Sequence, residues 1–120
     1  MNIQTHHIEG IEIVELQSDN LIIENSEDGL NILGNLYYQG YNKIVMHEAN
    51  ITPDFFDLKT GIAGEILQKY TNYRVQLAIV GDFSKFNSKS LNDFIYESNR
   101  GKHVGFFKDT DSAIQFLSGI

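Results

Sequence analysis

A chain of 120 residues, 42% apolar and 12% aromatic, has the size and the side chains for one folded domain with its own core, taken here as residues 1–120. A net charge of −7 argues against non-specific nucleic-acid binding, because a groove that tracks phosphates needs clustered Lys and Arg and the nine basic residues here are scattered. The absence of cysteine excludes disulfides, thiolate metal sites and thiol catalysis together.

The segment Met1 to His7 lacks the basic start and apolar run of a secretion signal. No apolar stretch approaches the roughly 20 residues that span a bilayer. A soluble cytoplasmic protein without a membrane partner is therefore expected.

In chain order, Ile3 to Ile8 and Ile11 to Leu16 read as two strands joined by a tight turn at Glu9-Gly10. The second alternates apolar residues with Glu, the period-two pattern of a strand with one wet face. Gln17 to Asn20 is loop-like, and Leu21-Ile22-Ile23 is a short apolar element. Ser26 is a fair N-cap for a first helix, with Glu27 and Asp28 in its first turn and Leu30, Leu33, Leu36 and Tyr37 as its apolar stripe. Gly40 stops it.

Lys43 to His47 has the nearly continuous apolar run of a strand covered on both faces. Thr52-Pro53 starts a single helical turn, since proline suits a first helical position. The spacing then predicts a second main helix from about Thr60 to Thr71, with Ile62, Ile66, Leu67 and Tyr70 inward. Tyr73 to Val80 is the next strand. Ser88 or Ser90 caps a third helix with Leu91, Phe94 and Ile95 on its apolar face, and Gly101 ends it. Val104 to Phe107 is the last strand, and Asp109 to Leu117 is a closing helix.

The order ββαβαβαβα predicts an α/β fold with a mostly parallel sheet flanked by helices and an antiparallel first strand. In such folds ligands collect at the carboxyl ends of the strands. Those ends carry His47-Glu48, Gly81-Asp82-Phe83-Ser84-Lys85 and Phe107-Lys108.

The most informative words lie on this rim. Thr60-Gly61-Ile62-Ala63-Gly64 places a hydroxyl and two glycines at a helix start, where unpaired N–H groups and a partial positive charge suit an anion or a phosphorylated Thr60. The plainer role of Thr60 is to cap the helix. Phe55 and Phe56, near Phe83, either form an apolar docking patch with Asp57, Asp82, Ser84 and Lys85 or cover the end of the core. His47, Glu48, Asp54, Asp57 and Asp82 are weak candidates for a metal or an acid–base cluster, because no His-x-x-x-His or comparable ligand spacing occurs. Gly81 to Lys85 follows a strand but lacks the spacing of a phosphate loop, and no Gly-x-Ser-x-Gly elbow fixes a nucleophile. No cofactor is expected. His6 and His7 alternate across a strand and read as surface residues.

The element order, and Thr60-Gly61-Ile62-Ala63-Gly64-Glu65-Ile66-Leu67 after the third strand, resemble the anti-sigma-factor-antagonist (STAS) domain. The resemblance implies a regulatory domain that docks a protein partner and is phosphorylated by a kinase at a Ser or Thr opening the second main helix. Thr60 holds that position, and Gly61 and Gly64 hold the glycine places. The chain departs from the pattern by the added Thr52 to Phe56, a turn that could cover Thr60.

The whole chain is more closely similar to a small bacterial family, domain of unknown function family 4180. Pro53-Asp54-Phe55-Phe56-Asp57-Leu58, Thr60 to Lys69, Ala78-Ile79-Val80-Gly81-Asp82-Phe83 and Ser90 to Asn99 carry that likeness. The expected function is a non-catalytic protein-interaction domain. The alternatives are a small-ligand or divalent-metal binder, or a small enzyme, using the His/carboxylate residues; homo-oligomerisation is a further expectation to test.

Overall fold

The computed structural model describes residues 1–119, and its elements follow the expected order. β1 (Asn2–Ile8) and β2 (Ile11–Gln17) are followed by α1 (Ser26–Tyr38), β3 (Lys43–His47), α2 (Ile62–Asn72), β4 (Gln76–Val80), α3 (Lys89–Arg100), β5 (Val104–Phe107) and α4 (Thr110–Ser118). Single 3-10 turns at Glu48–Asn50, Pro53–Phe56 and Leu58–Thr60 fill the β3–α2 connection, and another at Ser84–Phe86 follows β4.

The five strands lie side by side in sequence order, β1 antiparallel to β2 and the other four parallel. The hairpin turns through Glu9 and Gly10, both at positive φ (48° and 82°), the backbone signature of a two-residue turn whose twist matches its strands. Ile23, in the short apolar element, bridges Ile51 in parallel and so continues the sheet pattern locally.

Each crossover steps to the next strand in the same direction, so a constant handedness puts its helix on the same face every time. The packing agrees. Val14, Leu16, Ile44, Met46, Leu77, Ile79 and Phe106 point into one core with the apolar residues of α1, α2 and α3. Ile13, Val45, Ala78 and Val80 point the other way, against Ala113 and Leu117 of α4. α4 alone runs across β2 to β5 on that face. With these crossovers on one side, the sheet of the described residues has no interior point where the winding reverses, the place where open α/β sheets commonly seat their ligands.

Local departures from the sequence reading have simple causes. Asn25, not Ser26, caps α1, its side chain accepting the Asp28 N–H at 2.9 Å. The buried stripe of α1 is Gly29, Ile32, Leu33 and Leu36. Tyr37 stays exposed and stacks on Tyr73 with ring centroids 5.2 Å apart. β4 starts at Gln76 rather than Tyr73, because Arg74 takes a positive φ of 58° that ends α2 first. Ser88 and Asp109 cap α3 and α4 through their side-chain oxygens.

Gly29 is where α1 meets α2. A Cβ there would lie 2.5 Å from Ile66 Cδ1, and the buried Tyr70 hydroxyl donates to the Gly29 carbonyl at 3.1 Å. Gly29→Ala should therefore destabilise by about 1–3 kcal/mol through overpacking. Ile66→Ala alone should cost about 2–5 kcal/mol, but the double variant should be more stable than the sum implies, because the Ile66 truncation opens the space that the added methyl at position 29 needs. Urea unfolding of the four proteins measures the coupling, and strict additivity would refute the contact.

Candidate functional site

The rim above α2 is built on an aromatic plug. Phe55 and Phe56 are 1% and 2% exposed, so they seal the end of the core and do not supply the docking patch considered from the sequence. Phe56 stacks on Phe86 at 4.8 Å and lies 5.6 Å from Phe83, which meets Phe106 edge-on at 5.4 Å. Thr52 starts this turn by accepting the Asp54 N–H through its hydroxyl. What remains at the surface is polar: Asp57, Thr60, Gly61, Asp82, Ser84 and Lys85, with Phe83 half-buried among them. A hollow of about 320 Å³ opens beside them, with Phe56 and Phe86 at its base and Asp57 and Lys59 on its wall.

Thr60 does not lie in α2. It ends the 3-10 turn two residues before Ile62, and Gly61, at φ 79°, swings the chain from that turn into the helix. The Thr60 hydroxyl is a clasp: its one proton is shared between the Asp54 carbonyl at 2.7 Å and the Asp57 carbonyl at 2.9 Å, and its oxygen accepts the Ile62 N–H at 3.3 Å. Thr60 is nevertheless exposed, so the extra turn lies beneath it without covering it. The Asp57 carboxylate is used locally, accepting the Lys59 N–H at 3.3 Å.

The residues weighed as a His/carboxylate cluster go to separate partners. Glu48 is buried and pairs with Lys85 at 2.7 Å, its stem against Gly81, where a side chain would collide with it. Asp82 accepts both the N–H and the hydroxyl of Ser84, at 3.1 and 2.6 Å, and these bonds hold its carboxyl below the usual range. His47 turns to the α4 face. Among the described residues no group of three or more His, Asp or Glu is placed to hold a metal ion, so His47, Glu48, Asp57 and Asp82 do not form one.

His47 instead joins a constellation that the sequence reading missed. Glu15 is only 5% exposed, and its two carboxylate oxygens meet different imidazoles: Oε1 lies 2.9 Å from His6 Nε2 and Oε2 lies 2.6 Å from His47 Nε2. The hairpin register explains the first pair. Gln4 faces Glu15 and His6 faces Ile13, so His6 is a diagonal neighbour of Glu15 on one face. The second follows from the parallel pairing of Glu15 with Val45, two residues before His47. The available signal was parity: Glu15 shares its face with Ile13, an inward position, and a charge in an inward row needs partners. His6, taken as a surface residue, supplies one of them.

Burial pushes the Glu15 carboxyl up, but the bonds and charges of His47 and His6 together outweigh that and hold it below its ordinary value. A depressed carboxyl contributes stability that is full above the unfolded value, about 4.3, and is lost as pH falls through the lower folded value. Glu15→Gln should therefore cost about 1.5–3 kcal/mol near neutrality, the scale of hydrogen bonds to a charged group. The gap to wild type should close as pH drops below about 4. Denaturant titrations across that range check both, and a gap that did not depend on pH would refute the role of the charge.

No curated protein and no solved structure matches the chain. A family model described as "Domain of unknown function (DUF4180)" matches residues 8–117, from the last residue of β1 into α4. The chain is thus a member of the DUF4180 family.

Proposed function

We propose that this domain is a non-catalytic regulatory module of the cytoplasm that docks a protein partner on the rim around Thr60, in the manner of the STAS domain it resembles. The observation that carries the reading is the exposed Thr60 hydroxyl, held as a clasp at the entrance to α2 and flanked by the hollow over Phe56 and Phe86. The element order and the two glycines of the Thr60-Gly61-Ile62-Ala63-Gly64 word support the same comparison.

The chemistry of the clasp gives a phosphate something to switch. Phosphorylation would remove the proton that Thr60 donates and set a doubly charged group against the Asp54 and Asp57 carbonyls. The free N–H groups and positive end of α2 lie on the other side of the same residue and attract that charge. The modified turn would thus exchange one set of bonds for another, and a partner seated on Asp57, Gly61, Asp82, Ser84 and Lys85 would meet a changed surface.

Phosphosite mapping of protein isolated from its native cell, with quantitative co-purification of wild type, Thr60→Val and Thr60→Glu, tests this. Modified Thr60 is expected, together with at least one partner whose recovery changes about tenfold between Thr60→Val and Thr60→Glu, or about 1.4 kcal/mol. Thr60→Val should fold, losing about 0.5–1.5 kcal/mol with its hydroxyl bonds. Unmodified Thr60 together with partners indifferent to both variants would overturn the proposal.

A further inference from the structure

The two edges of the sheet are finished differently. β5 is four residues long, and Asn99 of α3 closes its outer side: the Asn99 side chain donates to the Phe106 carbonyl at 3.0 Å and accepts the Phe106 N–H at 2.7 Å. Lys102 and Lys108 flank that strand. Natural sheets protect their edges by such covering, or by short strands, bulges, proline and charged side chains. β1 has none of these. It runs for seven residues, Asn2 to Ile8, in unbroken register with β2 and without a Lys, Arg, Asp, Glu, Pro or Gly. Among the described residues no other strand pairs with it, and most of its residues are exposed.

The hairpin register decides which groups of β1 face outward. The two-residue turn at Glu9-Gly10 makes Ile8 and Ile11 a hydrogen-bonded pair, and alternation then turns the N–H and C=O of Gln4, His6 and Ile8 toward β2. Those of Ile3, Thr5 and His7 point away from the sheet. This outward row is self-complementary about Thr5. In an antiparallel pair of two such strands Thr5 faces Thr5 and Ile3 faces His7, with about six backbone hydrogen bonds between them. The side chains of these residues lie on the face of Val14 and Leu16, where Ile3 is an exposed apolar group. A chain of net charge −7 repels its own copies, but this strand carries no carboxylate.

We propose that β1 pairs with β1 of a second copy, antiparallel and about a two-fold axis at Thr5, so that two sheets become one. The backbone bonds set the register, and His7 of the second copy covers Ile3. The edge is separate from the Thr60 rim and does not rest on the docking reading.

Sedimentation of the untagged full chain from micromolar to millimolar concentration should show a monomer–dimer equilibrium. Amide exchange at Ile3, Thr5 and His7 should slow as the dimer forms, while Gln4, His6 and Ile8, bonded to β2, are protected in the monomer as well. Thr5 is exposed, so Thr5→Lys and Thr5→Glu should fold. Each sets like charges face to face on the axis and should weaken the dimer about fivefold. An equimolar mixture of the two should recover association as a heterodimer, because opposite charges then meet. That mixture carries the same total charge as two wild-type chains, so altered overall repulsion cannot imitate the recovery. A monomer at every concentration, which would leave the edge to a strand of another protein, would overturn the proposal. So would a dimer indifferent to both variants, or fast exchange at Ile3, Thr5 and His7 within the dimer.

Discussion

One nine-residue helix has to cover one face of a five-stranded sheet. The other face receives three helices, because every crossover advances in the same direction. α4 reaches β2 to β5 but leaves the β1 side and the carboxyl ends of β2 and β3 without a helical roof. Apolar side chains there would face water. The chain instead places Gln4, His6, Glu15, Gln17 and His47 on that surface and satisfies them against one another. The polar constellation is thus a consequence of uneven layering: where a helix is missing, hydrogen bonds close the face.

The same unevenness explains what was legible in the amino-acid order. Strand–helix alternation, the apolar runs of β3 and β4 and the caps of α3 and α4 are local signals, and they gave the element order and the α/β class. The boundaries that shifted are those set by a single backbone choice, such as the positive φ of Arg74 that shortens β4. Phe55 and Phe56 could not be placed from sequence, because sealing a core and offering a patch call for the same residues. The Glu15 constellation was harder still. Its members are 9 and 32 residues apart, and only the pairing of three strands brings them together. A lone Glu in an alternating strand reads as solvent-facing unless its parity with Ile13 is weighed.

The Thr60 turn shows how a surface loop is made definite. Beneath it, Phe55, Phe56, Phe83, Phe86 and Phe106 form a continuous aromatic stack that fixes the floor. Above it, one hydroxyl gathers two carbonyls and a helix-start N–H. Between the two, Asp57 and Thr52 supply the short side-chain bonds that hold consecutive 3-10 turns in shape. Such a loop has few independent joints, so a change at the hydroxyl is felt along its length.

The adjacency of every strand to its successor also bears on how the molecule is assembled. Each new strand finds its neighbour already made, so the sheet can extend in the direction of synthesis, and each of its strand pairings closes a comparatively short loop. α4, which follows β5 in the chain, lies across β2 to β5 and so packs on a face that four strands build together. Without α4, the apolar row of Ile13, Val45, Ala78 and Val80 would lose its cover and lie open to aggregation.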